Sequence, residues 1–176
     1  LHVNGTSDAG TITVNGGPIL ANADRIDARI IGKGGHGAAP HMAVDPIFIA
    51  GPVIMALHGI VSRRVDPSQP AVVTIGKMVG GTVNNVIPAE VEFSLTLRSY
   101  DDDVREQLIE EVAKAFEIAK SMGGDCEVVV HRGYPATVND DEVAGWIRQT
   151  GIDLLGEDKD RKSTRLNSSH DQISYA

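Results

Sequence analysis

The sequence has few of the residues on which several functions depend. It contains one cysteine, Cys126, and few aromatic residues: 1 Trp, 3 Tyr and 3 Phe among 176 residues. A lone cysteine excludes an internal disulfide and cannot by itself build a zinc site. Because nothing requires an oxidising compartment, we expect a cytoplasmic protein. So few aromatic side chains also argue against a base-stacking surface.

Positive charge is scarce as well, with 16 Lys and Arg against 24 Asp and Glu and a formal net charge of −8. A nucleic-acid-binding protein needs a basic surface to neutralise phosphates, so we expect no nucleic-acid partner. No run approaches 18 consecutive apolar residues, which predicts no transmembrane helix and no membrane partner. The hydrophobic content of 41% is ordinary for a globular protein of one domain, or of one small domain with pieces of another.

Both ends of the chain differ from its middle. The opening Leu1-His2-Val3 has neither an initiator methionine nor a signal-peptide pattern. Residues 161–176 change abruptly to a polar composition without a helical or strand period, and they resemble translated sequencing-adapter DNA. We therefore expect an internal fragment of a longer protein that ends in a non-native tail.

The first half of the middle region predicts a strand, a helix and a second strand. Apolar residues alternate with polar ones in the first strand: Ile26, Ala28 and Ile30. After a glycine-rich loop, Asp45 followed by Pro46 is typical of a helix start. The predicted apolar stripe of this helix is Ile47, Ala50, Ile54, Leu57 and Val61. Pro52 should kink or interrupt the helix, and residues 71–75 begin the second strand.

The second half predicts a strand, a helix and a final strand at residues 126–131. The third strand has four inward residues: Val91, Phe93, Leu95 and Leu97. Asp101 caps the second helix, which ends at Gly123-Gly124. Its stripe is Val104, Leu108, Val112, Ala115 and Ala119. The order β-α-β-β-α-β predicts an α/β, ferredoxin-like fold, in which a four-stranded antiparallel sheet carries both helices on one face.

A third helix is predicted after this domain. Asn139 and Glu142 have the spacing of an N-cap and its reciprocal partner. The apolar stripe that follows has no later strand to pack against: Val143, Trp146, Ile147, Thr150 and Leu154. We therefore expect residues 24–136 to form one domain, and residues 1–23 and 137–160 to belong to its neighbour.

Three kinds of binding domain share part of this sequence pattern or of the predicted strand order. The sequence Gly32-Lys33-Gly34-Gly35-His36-Gly37 has the spelling of a dinucleotide-binding loop, but such a site needs a helix that opens at the last glycine. An RNA-recognition module needs aromatic residues on the outer sheet face, where this sequence has Glu92, Ser94, Thr96 and Arg98. A non-catalytic regulatory domain that binds a small molecule remains an alternative.

A longer series of motifs resembles one family. The motifs are Gly32-Lys33-Gly34-Gly35-His36-Gly37-Ala38-Ala39-Pro40-His41, Gly81-Thr82-Val83-Asn84-Asn85-Val86-Ile87-Pro88, Leu97-Arg98 and Gly133-Tyr134-Pro135. In this order, over roughly residues 1–158, they resemble the dinuclear-metal aminoacylases and carboxypeptidases. The resemblance is strongest to hippurate hydrolases, N-acyl-amino-acid amidohydrolases and auxin-conjugate hydrolases. It implies that residues 24–136 are the lid, or dimerisation, domain of a metal-dependent amidohydrolase, and that flanking residues 1–23 and 137–160 belong to the catalytic domain.

The resemblance also implies roles for individual residues in a homodimer that acts on an N-acyl amino acid. His36 would reach the partner's active site and stabilise the tetrahedral oxyanion. Asn85 would bind substrate beside it, and Arg98 would hold the substrate carboxylate. His2 would be one ligand of two divalent ions, Zn, Mn, Co or Ni. Without the resemblance, each of these residues reads as an ordinary surface, turn or solvated side chain.

The remaining ligands that the resemblance implies are a Cys-Gly-His segment, a Glu-Glu pair and a distant histidine, and we expect them to lie outside this chain. The sequence has no Cys-Gly-His segment, and its one Glu-Glu pair, Glu110-Glu111, lies in the predicted second helix. The catalytic glutamate base would also lie elsewhere in the parent protein. We therefore expect this chain alone to be inactive. His41 has no assigned role, and His58 and His131 are expected to be structural.

Overall fold

The computed structural model describes residues 8–161. Its elements in chain order are β1 (Gly17–Leu20), β2 (Asp24–Ile31), β3 (Gly35–His36), α1 (Pro46–Arg63), β4 (Ala71–Gly80), β5 (Val86–Ile87), β6 (Glu90–Ser99), α2 (Asp102–Ser121), β7 (Asp125–His131), β8 (Thr137–Asn139) and α3 (Asp141–Leu155). These elements form two compact units, one of residues 22–134 and one from the described parts of residues 1–21 and 135–176. The predicted metal ligand His2 lies outside the described residues.

The larger unit contains a four-stranded sheet with the order β4-β6-β2-β7. Every neighbouring pair is antiparallel, and Ile30 of β2 pairs with Val91 on one side and Cys126 on the other. Both α1 and α2 contribute to a single core on one face of this sheet. The predicted ferredoxin-like fold is confirmed, and the second strand continues five residues beyond the predicted 71–75.

The core is built by the alternating strand residues and the helical stripe that the sequence predicts. All seven inward residues of β2 and β6 are buried, and so are all five stripe residues of α2: Val104, Leu108, Val112, Ala115 and Ala119. Phe93 and Phe116 meet edge to face with ring centroids 5.3 Å apart. Burial of this apolar surface is the main stabilising contribution to the unit.

Helix α1 begins as predicted, and its buried face shares Ala50 and Leu57 with the predicted stripe but is otherwise shifted. Asp45 Oδ1 accepts hydrogen bonds from the N–H groups of Ile47 and Phe48 at 2.9 and 3.3 Å. The buried face is Ile49, Ala50, Val53, Leu57 and Ile60. Ile47, placed by the sequence on the buried stripe, is 49% exposed, because a helix that is apolar on most sides has no unique 3.6-residue stripe. The helix is also continuous through Pro52, so of the predicted kink or interruption the interruption is wrong.

The apolar character of α1 has a second consequence. It is the one helix within residues 8–161 that is long and apolar enough to cross a membrane, with a mean hydropathy of 1.4 over 18 residues. The prediction of no transmembrane helix rests on the absence of a long uninterrupted apolar run, and length with mean hydropathy does not decide it, because the core helix of a globular protein shares both properties. Since α1 packs its buried face on the sheet, the structure accounts for it as a core helix.

A buried polar cluster joins the two points where the chain enters and leaves the larger unit. Arg105 donates from Nε and Nη2 to the fully buried carboxylate of Asp24 at 2.7 and 2.6 Å, and the Gly133 N–H donates to the same carboxylate at 2.8 Å. Burial alone would raise the pKa of Asp24, but the hydrogen bonds from Arg105 and Gly133 and the charge of Arg105 leave it lowered. A side chain at position 133 would collide with the Ala23 carbonyl, so the approach requires glycine.

The smaller unit contains β1 paired with β8 and the helix α3. The predicted cap is wrong by one residue: Asp140, not Asn139, accepts hydrogen bonds from Glu142 N and Val143 N. Asn139 lies in β8 instead, where its Nδ2 donates to the Asn15 carbonyl at 2.9 Å. The predicted lack of a packing partner for the apolar stripe agrees with its exposure at Val143, Trp146, Ile147 and Leu154.

Candidate functional site

The glycine-rich loop is paired with the later loop that carries Asn85. Strand β3 runs antiparallel to β5, with His36 opposite Val86. The Gly37 N–H donates to the Asn85 carbonyl at 2.8 Å. Backbone hydrogen bonds therefore bring His36 and Asn85 together, although 49 residues separate them in the sequence.

Gly37 allows this close approach. A Cβ atom at position 37 would lie 3.1 to 3.3 Å from backbone atoms of Asn85. Contacts of that length are tight, so one of the two loops would have to shift by a few tenths of an ångström. The glycines around His36 thus serve loop pairing in this structure. They do not open a helix for a dinucleotide, because a short 3₁₀ turn (Pro40–Met42) intervenes before α1.

The ring of His36 is exposed and held by its own loop. The N–H of Ala38 donates to His36 Nδ1 at 3.1 Å, and the N–H of Ala39 donates to the His36 carbonyl at 2.8 Å. Nε2 has no hydrogen-bond partner within residues 8–161. Sequence reasoning could not identify the Ala38 N–H, because a backbone donor leaves no signature in residue identity.

An open groove of about 460 Å³ runs beside the paired loops. Its lining comes from Gly37, from Asp45 and Ile47 at the start of α1, and from residues 80–84 and 86–88. The lining combines apolar residues such as Ile47 and Val86 with the polar residues Asp45, Thr82 and Asn84. It lies next to His36 and Asn85, so the structure places a concave surface where the sequence predicts substrate contact.

Arg98 lies at the other end of the sheet. It is near the carboxyl end of β6 and pairs with Val72 at the start of β4, whereas the Asn85 loop leads into the opposite end of β6 at Glu90. Eight residues of strand separate Glu90 from Arg98, which corresponds to roughly 26 Å. One copy of the chain therefore does not bring Arg98 to His36 and Asn85.

Arg98 projects on the sheet face that carries no helix. Four residues earlier on β6 and on the same face, Ser94 Oγ donates a hydrogen bond at 2.8 Å to Asp27, whose carboxylate lies 3.0 Å from His131 Nε2. The pKa of Asp27 is lowered, mainly by the Ser94 hydrogen bond. Arg98 itself has neither an ion pair nor a side-chain hydrogen bond within the described part of the chain. Its guanidinium is thus open to an external anion.

The described residues do not build a metal centre. No group of three or more His, Cys, Asp or Glu side chains within residues 8–161 is arranged to hold a metal ion. His41 is exposed in the 3₁₀ turn that follows the His36 loop. Cys126 is partly buried in β7, and burial raises the pKa of its thiol.

Comparison with known proteins gives one family. Residues 20–121 match the sequence profile of the M20 peptidase dimerisation domain. The chain is 40% identical over 144 residues to an N-acyl-L-amino acid amidohydrolase of Geobacillus stearothermophilus, covering 80% of this chain and 38% of that protein. It is 37% identical over 145 residues to a hippurate hydrolase of Campylobacter jejuni, covering 80% and 37%.

A solved structure agrees with the sequence matches. A dinuclear metal-binding peptidase of the M20 family from Bacillus subtilis superposes with a TM-score of 0.70 at 27% identity, over 92% of this chain and 39% of that one. The chain thus spans less than two fifths of the length of each of these proteins. The resemblance inferred from the motifs is confirmed.

Proposed function

The chain belongs to the M20 peptidase dimerisation-domain family, and from this premise we propose that it is the lid segment of a metal-dependent amidohydrolase that cleaves N-acyl amino acids. The observation that carries the proposal is the loop pairing that sets His36 beside Asn85 at the edge of an open groove. The substrate class follows from the names of two relatives, an N-acyl-L-amino acid amidohydrolase and a hippurate hydrolase.

Each of the three residues has a role that fits its chemistry. The imidazole of His36 donates a hydrogen bond to the oxygen that becomes negative as the amide carbon turns tetrahedral. The Asn85 amide binds substrate beside it. The planar guanidinium of Arg98 holds the α-carboxylate through two parallel hydrogen bonds. These residues bind and orient the substrate and stabilise developing charge.

The metal centre of this family does not fit the described residues, which contain no suitable ligand cluster. The B. subtilis relative is described as a dinuclear metal-binding peptidase. In our proposal the metal ions of the present protein are bound by other parts of the parent protein, together with His2. The roles that we propose for His36, Asn85 and Arg98 therefore do not require residues 8–161 to bind a metal ion.

We further propose that the unit pairs with a second copy through β4 and α1. Unpaired edge strands are normally covered, and the two edges of this sheet differ in character. Beside β4, α1 exposes Phe48 and Met55, at 68% and 77% of their surface. The opposite edge, β7 with α2, carries charged side chains in ion pairs, Glu106 with Arg132 and Glu127 with Arg29. The apolar edge is the one that favours a partner.

A two-fold pairing along β4 would also unite the site. Two antiparallel copies of β4 place the Gly80 end of one beside the Ala71 end of the other. Arg98, next to Val72, would then lie about two strand spacings, or about 10 Å, from the partner's β4 near the loop that bears His36 and Asn85. Each site would combine Arg98 of one copy with His36 and Asn85 of the other.

Mixed dimers of the full-length protein test this arrangement. His36→Ala and Arg98→Ala variants, each inactive or nearly so, are mixed and allowed to exchange subunits, and hydrolysis of hippurate and N-acetyl amino acids is measured. If His36 and Arg98 act from different copies, one site in each mixed dimer retains both residues. Activity should then recover to about a quarter of the wild-type value, because half of the dimers are mixed and half of their sites are intact.

The control is each variant incubated alone, which should show no recovery. Mixtures that exchange subunits but stay inactive would contradict the two-copy site. A full-length wild-type protein without amidohydrolase activity would contradict the function itself. The alternative, a non-catalytic regulatory domain, has no observation in its favour, since both named relatives are hydrolases.

A further inference from the structure

The loop around His36 determines which ring nitrogen carries the proton, and we propose that the backbone N–H of Ala38 is the group that does so. Ala38 N lies 3.1 Å from His36 Nδ1 in hydrogen-bonding geometry. An amide N–H can only donate, so Nδ1 must offer its lone pair. In the neutral ring the proton is then on Nε2.

Nε2–H is therefore a donor that is free to meet a ligand. The His36 ring is exposed, and Nε2 has no partner within residues 8–161. A carbonyl oxygen or an oxyanion accepts hydrogen bonds, so it is stabilised by Nε2–H and repelled by an Nε2 lone pair. This inference rests on the proposed function for its catalytic meaning, in which Ala38 is a positioning residue that acts through His36.

The donor is fixed in place by backbone contacts on both sides of it. His36 pairs with Val86 across the two strands, and the Gly37 N–H donates to the Asn85 carbonyl at 2.8 Å. The Ala39 N–H closes a turn onto the His36 carbonyl at 2.8 Å. Ala38 lies between these anchored residues, so its N–H is held beside the ring without any other side chain.

The opposite tautomer is a real competitor, because histidines in proteins often donate from Nδ1 to a backbone carbonyl. In this loop the group facing Nδ1 is a donor. An Nδ1–H would set two hydrogens against each other and lose the bond. The structure thus predicts that the neutral His36 ring carries its proton on Nε2. The position of this proton can be measured on the 176-residue chain.

The measurement is nitrogen NMR of the 176-residue chain at about pH 8, where a histidine ring is ordinarily neutral. Long-range ¹H–¹⁵N correlations distinguish a protonated ring nitrogen from an unprotonated one. We expect His36 Nδ1 to be unprotonated and Nε2 protonated. We also expect a scalar coupling across the hydrogen bond between the Ala38 amide nitrogen and His36 Nδ1. His58, exposed on α1, is the internal reference and should show tautomers in exchange.

Two backbone variants isolate the donor. Replacing the amide of Ala38 by an ester removes its N–H and keeps its side chain, and the ring nitrogen shifts of His36 should move towards those of His58. An ester at Ala39 is the matched control, since it removes the turn hydrogen bond but leaves the Ala38 N–H. It should leave the His36 tautomer unchanged. Dispersed amide signals from the sheet report that each variant is folded.

A protonated Nδ1 in the unmodified chain would overturn the inference, and so would an ester at Ala38 that leaves the His36 signals unchanged. If the Ala38 ester fails to fold, the scalar coupling in the unmodified chain decides the matter by its presence or absence. None of these outcomes depends on catalysis. A confirmed tautomer combined with an inactive full-length protein would therefore refute the proposed function and leave this inference standing.

Discussion

His36 is the side chain on which the proposed chemistry depends most. In the full-length protein, His36→Ala should lower kcat by about 10²–10³, the usual loss for one oxyanion donor. KM should change much less, because the interaction strengthens only as charge develops in the transition state. Steady-state hydrolysis of hippurate measures both constants. His41→Ala, in the adjacent 3₁₀ turn, is the control and should change kcat by no more than a few-fold.

A different result would assign His36 to loop structure. If His36→Ala alters thermal stability or KM while kcat stays within a few-fold, the histidine shapes the loop and does not contact the reacting atoms. The Ala38 N–H donates a hydrogen bond to His36 Nδ1, so the ring also contributes to the structure of its own turn. A purely structural role for His36 is therefore the alternative that this measurement tests.

Asp24 is the residue whose loss should most disturb the fold. Its buried carboxylate accepts two hydrogen bonds from Arg105 and one from Gly133. Asp24→Ala removes the buried carboxylate and leaves the Arg105 guanidinium with the Gly133 carbonyl at 3.2 Å and the exposed Asp102 at 3.9 Å. Loss of a buried ion-pair partner typically costs about 3–5 kcal/mol in the free energy of unfolding. Urea denaturation measures this loss.

The control for Asp24 is the exposed ion pair between Arg29 and Glu127. Glu127→Ala should leave the urea midpoint almost unchanged, because exposed pairs are screened by solvent. Equal losses of stability for Asp24→Ala and Glu127→Ala would show that the buried pair stabilises the fold no more than the exposed pair.

At the scale of elements, the exposed side of α1 should govern association. Met55→Lys places a charge in the proposed interface, so the protein should become monomeric without loss of protomer stability. Sedimentation at tens of micromolar measures the change, since weak interfaces are populated there. Val129→Lys on the opposite edge is the matched control, because Val129 is also an exposed apolar residue, and it should leave the dimer intact. A wild-type chain that is monomeric throughout would refute the interface.

The contact between α1 and α2 should make stability depend on pH. Glu111 of α2 bonds to Arg64, just beyond α1, at 2.8 Å and to Lys114 at 2.9 Å. These hydrogen bonds lower the pKa of Glu111 from 4.5 to about 2. A lowered pKa in the folded state stabilises the protein above pH 4.5, and this contribution is lost as the pH falls towards 2.

Glu111→Gln should therefore reduce stability at neutral pH, and the difference from wild type should vanish near pH 2. Urea midpoints at a series of pH values between 7 and 2 measure it. Glu110→Gln is the control, because Glu110 is exposed and lies 3.7 Å from Lys114. A constant difference for Glu111→Gln across this range would show that the contribution does not come from ionisation.

Local sequence patterns predict most elements, and they fail where the pattern is degenerate. Strands β2 and β6 alternate cleanly, so their buried faces follow directly from the sequence. Helix α1 is apolar on most sides, and the choice of Val53 over Ile54 for its centre depends on packing against the sheet. Asp140 displaced Asn139 as the cap of α3 because Asn139 is engaged in β8. Tertiary contacts decide both the buried face of α1 and the cap of α3, and such contacts cannot be read from the local sequence.

At the scale of the whole molecule, the candidate site is only partly visible in the sequence. The motifs identify His36, Asn85 and Arg98, and the loop pairing explains why the first two belong together. The length of β6 then separates Arg98 from them, which sequence spacing alone could not reveal. Our proposal of a site completed by a second copy depends on the strand order of residues 8–161, in which β4 is an edge strand.

The same reasoning predicts that this chain alone does not hydrolyse amides, even as a dimer. Pairing would unite His36, Asn85 and Arg98, yet residues 8–161 provide no cluster able to hold a metal ion. The assay is hydrolysis of hippurate and N-acetyl amino acids by the 176-residue chain with Mn²⁺, Zn²⁺ or Co²⁺ added. His2→Ala is the control, because His2 is the one ligand that the resemblance assigns to this sequence. Metal-dependent turnover above that control would show that the chain builds its own metal centre. Since oxyanion donors and substrate anchors alone give only part of a hydrolase's rate enhancement, we expect no turnover above background.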